Sequence, residues 1–261
     1  MKIAGVICEY NPFHNGHWRQ LRWLKEEKGM DAVVCALSGH FTQRGEPAVA
    51  GKGQRVKMAL DCGADLVLEL PAYYATRSAY WFALGGVLLL AAAGAGYLAF
   101  GAETDDLPAL SATAARLARP DPAYLDALRR FLSAGLPFAE ARAKALTADG
   151  RRNFAPALPN DCLALAYLQV IAEKGLALRP LLLPRAGADY HAVALPAGGA
   201  GPASGLASAA AIRERLRRGA GQYHSRRLTL ARLEGLGLAP YMPAAALRHL
   251  AGAPLVFPAD A

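Results

Sequence analysis

With 261 residues, the chain is long enough to bury a complete α/β core with a small appendage. Its composition, 54% hydrophobic and 19% charged, is typical of a globular protein and excludes an intrinsically disordered one. The net charge of +8 favours an anionic partner such as a nucleotide, a nucleic acid or an acidic membrane face. An Arg-rich composition alone would also produce this charge.

The four cysteines are scattered and form no Cys-x-x-Cys pair, so they predict neither a zinc site nor a disulfide framework. Cys8 and Cys35 fall in apolar, strand-like runs and are expected to be buried, reduced thiols. The chain opens directly into a strand pattern with no signal peptide, which favours a cytoplasmic protein.

The stretch from Phe82 to Phe100 contains no charged residue, and its length raises the question of a transmembrane helix. It is broken at Gly94-Ala95-Gly96, however, and no basic cluster flanks it. A buried helix followed by a buried strand explains it better, and we expect no membrane partner.

Strands and helices alternate through the first hundred residues. Apolar runs predict strands at residues 3–8, 31–37, 65–70 and 97–100. Helical periodicity predicts helices at about 16–29, 54–62 and 78–93, the second with Val56, Ala59 and Leu60 on one face. Such alternation specifies a parallel sheet with right-handed crossovers. We therefore predict an α/β fold built on a Rossmann-like parallel sheet.

The remainder is mostly helical. Residues 110–148 predict an inserted helical hairpin with breaks at Pro120, Pro122 and Pro137. A helix at 160–174, a buried strand at 178–183, a Gly/Pro-rich loop at 198–205 and a helix at 208–218 follow. Beyond residue 219 the helical patterns are weak.

Polar, basic and glycine-rich segments follow the predicted strands. Residues 9–17 come after the first strand and residues 38–45 after the second, while the third leads into Tyr73, Tyr74, Arg77 and Ser78. Ligands bind at the carboxyl ends of the strands in open parallel sheets, so these loops predict a ligand site at one edge.

The sharpest motif is His14-x-Gly16-His17, which follows a strand and opens a helix. Two imidazoles about one turn apart face the same way there, beside backbone N–H groups at the positive end of the helix dipole. Gly16 leaves room for a phosphate or an adenine ring, and Asn15 is the expected helix cap. These groups suit displacement at an α-phosphate, which needs positioning and charge stabilisation. Surface or capping histidines are the simpler alternative.

Other basic residues are weaker candidates for phosphate contacts. Arg44 and Lys52 suit a leaving pyrophosphate, although a solvated loop with ion pairs to Glu46 explains them nearly as well. Ser208 is expected to cap a helix from which Arg213 reaches a phosphate, but an ordinary helix has the same pattern.

Several segments closely resemble the bacterial tRNA(Met) cytidine acetate ligase family, whose members carry the His-x-Gly-His motif on a nucleotidyltransferase-type fold. The matching segments occur in order along the chain, at residues 5–17, 38–48, 63–71, 100–103, 139–142, 158–160 and 188–191. The resemblance implies that ATP and acetate form acetyl-adenylate and pyrophosphate. The acetyl group then passes to N4 of the wobble cytidine of elongator tRNA(Met), giving N4-acetylcytidine.

The resemblance also implies site residues. His14 and His17 are the expected catalytic residues. The expected ATP contacts are Ile7, Cys8, Glu9, Tyr10, Asn11, Pro12, Phe13, His14, Asn15, Gly16, His17, Trp18, Arg19, Gln20, Gly101, Asn160 and Arg185, and Ser38, Arg44 and Lys52 are candidate phosphate contacts. Mg²⁺ is expected to enter with ATP, and no acidic cluster marks a dedicated metal site.

The resemblance implies two regions: a nucleotidyltransferase-like ATP-binding domain at 1–215, with its insertion at about 110–150, and a basic, mostly helical tail at 216–261. Family members run well past residue 261, so the tail is expected to be an incomplete C-terminal region. Its candidate tRNA contacts are Arg217, Arg218, Arg226 and Arg227.

The chain also departs from the family pattern: Asp161 replaces a second Asn, and Ala210 replaces a hydroxyl residue. An adenylyltransferase for a small acceptor and a non-catalytic ATP- or RNA-binding remnant therefore stay open as alternatives.

Overall fold

The computed structural model describes residues 1–148, 150, 158–184, 206–222 and 226–257. Its strands are β1 (Ile3–Cys8), β2 (Ala32–Ser38), β3 (Leu66–Leu70), β4 (Tyr97–Ala102) and β5 (Arg179–Pro184). They form one sheet in the order β3-β2-β1-β4-β5. β1 is parallel to β2 and β4, and β2 is parallel to β3. The predicted α/β class and parallel sheet are confirmed.

The helices are α1 (Asn15–Arg22), α2 (Lys52–Asp61), α3 (Ala72–Ala75), α4 (Ala79–Ala92), α5 (Leu107–Ala118), α6 (Pro122–Ser133), α7 (Phe138–Thr147), α8 (Pro159–Lys174), α9 (Ala209–Gln222), α10 (Leu230–Gly235) and α11 (Ala244–Leu250). A π-helical turn, Trp23–Glu27, continues α1, and a 3-10 turn, Ala239–Tyr241, precedes α11.

The chain forms two compact units, Met1–Ala99 with Ala186–Ala261, and Phe100–Arg185. The domain boundary expected after residue 215 falls inside α9 and stays a prediction. We call the two units the first unit and the second unit.

The core of the first unit is the apolar sheet and the helices packed on it. Gly86 of α4 allows close packing on β1, because a Cβ atom there would lie 2.6 Å from the Cδ1 atom of Ile7. Cys8 and Cys35 are buried free thiols, as predicted. None of the helices in the described ranges is long and apolar enough to cross a membrane.

The buried face of α2 differs from the face predicted from the sequence. Val56, Ala59 and Leu60 were expected to share it, but Leu60 is 41% exposed and the buried residues are Arg55, Met58 and Ala59. The difference arises because Arg55, a residue type that is almost never fully buried, is 0% exposed and takes a position on the buried face.

The second unit contains three helices where a helical hairpin was predicted. The prolines mark helix starts rather than interruptions. Asp121 caps α6 by accepting from Tyr124 N–H, and Pro122 occupies the first helical position, where its missing N–H costs nothing. Pro137 likewise directly precedes α7.

Candidate active site

The His-x-Gly-His motif closes the start of α1 through its own side chains. The Nδ1 atom of His14 accepts a hydrogen bond from Gly16 N–H at 3.0 Å. The Nδ1 atom of His17 accepts one from His14 N–H at 3.3 Å. The two imidazoles stack with ring centroids 3.8 Å apart and an interplanar angle of 26°. The prediction that both rings face the same way is confirmed.

These hydrogen bonds fix how each histidine carries its proton. A nitrogen that accepts from a backbone N–H holds no proton, so a neutral imidazole in this position carries its proton on Nε2. The pair therefore provides two Nε2–H donors at the N-terminus of α1, where the positive end of the helix dipole lies. Such an arrangement suits the stabilisation of negative charge on phosphoryl oxygens.

The helix cap is His14, not Asn15 as expected from residue preferences alone. Asn15 is the first residue of α1, and its Nδ2 atom donates to the carbonyl of Pro240 at 2.9 Å. His14 takes the capping role because its Nδ1 atom reaches the N–H group two residues on, as an Asn oxygen would.

Two buried aromatic rings pack against the histidine pair. Tyr10 and Phe13 are 1% and 0% exposed, and the centroid of His17 lies 4.8 Å from that of Tyr10 and 5.5 Å from that of Phe13. Tyr10 has a left-handed φ of 46°, which is uncommon for a residue with a side chain. Packing around its ring maintains that conformation and turns the chain sharply after β1.

Residues from the C-terminal part of the first unit brace this loop. Arg213 Nη1 donates to the carbonyl of Asn11 at 2.8 Å, and the Nδ2 atom of Asn15 reaches Pro240. Ser208 caps the helix that carries Arg213, as predicted, by accepting from Ala211 N–H at 3.0 Å. The loop is therefore shaped by residues some two hundred positions away.

Arg55 is a buried residue of this region that sequence reasoning missed. Its guanidinium donates to the carbonyls of Ala50 at 3.0 Å and Ser38 at 3.0 Å, and also to that of Gly39. A further bond at 2.7 Å reaches the carbonyl of Glu9. One side chain thus ties the end of β1 to the end of β2. The only available signal was the helical spacing of Arg55 with Met58 and Ala59.

Glu9 lies between the first two loops. Its carboxylate accepts from Gln43 N–H at 2.7 Å. Burial raises the pKa of Glu9, while that hydrogen bond and the positive charges of Arg213 and Arg55 act in the opposite direction. The carboxylate therefore serves as a structural anchor for the second loop.

The candidate phosphate contacts lie in different environments. Ser38 is completely buried at the end of β2, and its hydroxyl has no hydrogen-bond partner in the described part of the chain. Lys52 forms an ion pair with Glu69 at 2.8 Å rather than with Glu46. Arg44 lies close enough to Glu9 for its positive charge to act against the rise that burial causes in the pKa of Glu9. Their contact with phosphate stays a prediction.

In the second unit, Asn160 is held by a reciprocal set of hydrogen bonds. Its Nδ2 atom donates to Glu103 at 2.5 Å, and Glu103 also accepts from Asp161 N–H at 2.9 Å. Asp161 in turn accepts from Glu103 N–H at 2.9 Å, and burial raises its pKa. Gly101 is half-buried in β4. Arg185, the 188–191 segment and the 198–205 loop lie outside the described residues.

The arginines of the tail are only partly available to an anion. Arg217 and Arg218 both bind Glu214, at 2.9 Å and 2.6 Å, and these bonds lower the pKa of Glu214 to about 2. Arg227 donates to the carbonyl of Gly252 at 3.4 Å. Arg226 is exposed, and its carbonyl accepts from Leu255 N–H.

The chain is similar to known proteins in sequence and in fold. The model of the family described as HIGH Nucleotidyl Transferase matches residues 1–253. Proteins named tRNA(Met) cytidine acetate ligase from Syntrophomonas wolfei and Syntrophotalea carbinolica are 43% and 40% identical over 222 residues each, which is 83% and 84% of this chain. These alignments cover 51% and 52% of the two relatives, so the chain spans about half their length.

Two solved structures of Thermotoga maritima TmcAL share the fold at 32% identity. The apo structure superposes with a TM-score of 0.82 and the structure bound to alpha-thio ATP with 0.79. Each covers 96% of this chain, and the chain covers 56% and 55% of theirs. These similarities confirm the predicted nucleotidyltransferase type of the fold.

Proposed function

We propose that this chain, which belongs to the HIGH nucleotidyl transferase family, binds ATP at the N-terminus of α1. There it activates acetate as acetyl-adenylate. The observation that carries the proposal is the stacked pair of His14 and His17, whose Nδ1 atoms both accept from backbone N–H groups. The TmcAL structure bound to alpha-thio ATP, which has the same fold, supports ATP as the ligand.

The chemistry fits the groups that are present. A carboxylate oxygen of acetate attacks the α-phosphorus, the bond to the bridging oxygen breaks, and pyrophosphate leaves. Negative charge develops on the α-phosphoryl and leaving oxygens during this step. The two Nε2–H donors and the helix N-terminus stabilise it without a covalent nucleophile. Mg²⁺ enters with the ATP phosphates.

The second step we propose is acetylation of N4 of the wobble cytidine of elongator tRNA(Met). The cytidine amino group attacks the acetyl carbonyl, AMP leaves, and the amino nitrogen loses a proton. The names of the relatives support this acceptor. The net charge of +8 suits a polyanionic partner.

The remaining predicted ATP contacts can be tested one by one. Asn160→Ala and Arg185→Ala are each expected to weaken ATP binding about tenfold, which corresponds to about 1.4 kcal/mol. Isothermal calorimetry measures the effect, and unchanged binding would make the residue structural.

Two assays separate the two steps. Acetate-dependent exchange of labelled pyrophosphate into ATP reports adenylate formation without RNA. Incubation with labelled acetate, ATP and tRNA, followed by nucleoside analysis, reports transfer. We expect exchange in the wild type and its loss in His17→Ala. Exchange that does not depend on acetate would favour an adenylyltransferase for another acceptor, and no exchange would favour a non-catalytic remnant.

A further inference from the structure

A cluster of aromatic rings around one arginine lies after β3. The guanidinium carbon of Arg77 lies 3.9 Å from the ring centroid of Trp81 and 4.9 Å from that of Tyr73. Tyr73 meets Tyr74 and Trp81 edge-on, at interplanar angles of 89° and 80°. We call these four residues, Tyr73, Tyr74, Arg77 and Trp81, the aromatic cluster.

The surface of this cluster is open. Tyr73 is 62% exposed, although a tyrosine of this kind would usually be buried in part against its neighbours. Arg77 lies over one face of the Tyr73 ring, and the exposure of the residue leaves much of the rest of the ring open to solvent. The packing beneath is tight: Tyr74 lies directly on Gly85 of α4, where any Cβ atom would clash with its ring. The tightly packed Tyr74 thus supports the exposed ring of Tyr73.

The cluster carries positive charge with little to neutralise it. Arg77 is the only charged residue between Glu69 and Glu103 in the sequence. In the described part of the chain, its Nη1 atom is buried without a hydrogen-bond partner. Cation–π contact with the two rings holds the guanidinium in place and leaves its charge for an anion.

The cluster also lies at the edge of the sheet where the histidine pair lies. β1 leads into the His14–His17 loop and β3 leads into the cluster, and both strands run parallel to β2 between them. Two steps between neighbouring strands amount to about 10 Å. This is the scale of one or two nucleotides, so a strand of RNA can lie across both places.

We propose that the aromatic cluster binds an unpaired nucleobase of an RNA strand, with Tyr73 stacking on the base and Arg77 facing its phosphate. This role deepens the proposed function, on which the identity of the RNA rests. Exposed aromatic rings beside arginine are the usual means of holding unstacked bases, because every base presents a π-face. An acidic or purely aliphatic patch would lack both interactions.

The test compares two labelled probes by fluorescence anisotropy: a short oligocytidylate and an equally long strand of stable abasic residues. Both carry the same backbone charge, so their difference in affinity isolates the contribution of the bases. Tyr73→Ala and Tyr73→Leu are expected to weaken oligocytidylate binding about tenfold and leave abasic binding unchanged. Tyr73→Phe keeps the ring and is expected to bind like the wild type.

Two further variants sharpen the result. Arg77→Lys keeps the charge but loses the planar guanidinium that contacts the rings, and it is expected to weaken oligocytidylate binding several-fold. Phe138→Ala is the matched control, since Phe138 is an equally exposed aromatic residue, at 61%, in the second unit. It is expected to change neither affinity.

The proposal is overturned if Tyr73→Ala lowers the affinity for both probes alike, if it lowers neither, or if the wild type does not distinguish them. Thermal denaturation checks that each variant is folded. Acetate-dependent pyrophosphate exchange is measured in parallel and is expected to be unchanged in Tyr73→Ala. The two readouts are independent, so a failure of the ATP chemistry is distinguishable from a failure of the cluster to bind RNA.

Discussion

The backbone N–H of His14 donates to the side chain of His17 while the side chain of His14 accepts from Gly16 N–H. His14 therefore has two functions in the same position: it caps α1, and its ring stacks on the second imidazole. A substitution at this position can separate the contribution of capping from that of catalysis.

Replacing His14 by Asn or by Ala separates these functions. Asn is a strong helix cap, so His14→Asn is expected to keep wild-type stability, whereas His14→Ala is expected to lose about 1 kcal/mol. Both variants lose the Nε2–H donor, worth about 3 kcal/mol to the transition state, and their pyrophosphate exchange is expected to fall more than a hundredfold. Urea unfolding and exchange assays measure the two effects. Wild-type exchange in His14→Asn would remove His14 from the catalytic step.

Gly16→Ala tests the space beside the imidazole. An added Cβ atom would lie 2.9 Å from the Cε1 atom of His14, so the ring must rotate away and the capping bond is lost. The higher helix propensity of Ala offsets that loss by about 1 kcal/mol, and we expect little change in stability. Pyrophosphate exchange is expected to fall at least tenfold because the ring is displaced.

Gly53→Ala is the control for Gly16→Ala. Gly53 is also near the start of a helix, α2, but a Cβ atom there meets nothing within 4 Å. This variant is expected to be about 0.5–1 kcal/mol more stable than the wild type with unchanged exchange. Equal activity in the two Ala variants would show that the room beside His14 does not matter.

Local sequence patterns were enough to predict most of the fold. Apolar runs placed β1 and β2 within a residue or two, because a buried parallel strand is a continuous hydrophobic segment. The same reasoning placed His14 and His17 together at a helix start, because their spacing is close to one helical turn.

Contacts between distant segments could not be predicted in this way. Arg213 and Asn11 are 202 residues apart, and no local pattern indicates that one braces the other. The burial of Arg55 was missed for the same reason, since its acceptors are carbonyls of separate loops. The residue type indicates that an arginine usually lies at the surface, but only the fold shows which carbonyls surround Arg55.

Arg55 is expected to be essential for stability. Arg55→Met removes the donor to four carbonyls and leaves several of them buried without partners, so we expect a loss of about 3 kcal/mol or more in unfolding free energy. Arg55→Lys keeps the charge but cannot reach the same acceptors in one plane, and most of the loss should persist. Urea unfolding measures both.

The control for this substitution is Arg22→Met. Arg22 is 51% exposed and pairs with Glu26 one turn away on the surface, where solvent screening leaves the ion pair little effect on stability. If Arg55→Met were as stable as Arg22→Met, the guanidinium would not hold the two loops together.

Glu214 is expected to oppose RNA binding by occupying two arginines. It accepts from Arg217 and Arg218, and these bonds lower its pKa to about 2. Because the pKa in the unfolded chain is about 4.3, the stabilisation is complete above that pH and is lost as the pH falls towards 2. Arg217 and Arg218 are 47% and 69% exposed, so solvent screening limits the stabilisation to about 1 kcal/mol or less.

Glu214→Gln should therefore release both guanidiniums for phosphate. We expect tighter binding of the oligocytidylate probe and a steeper dependence of affinity on salt, because each newly neutralised phosphate releases counterions. Glu234→Gln is the control: it removes one negative charge from an exposed position in α10. Equal gains in the two variants would mean that only net charge matters. A larger gain in Glu214→Gln, absent when Arg217 and Arg218 are also replaced by Ala, would place the RNA backbone on this face of α9.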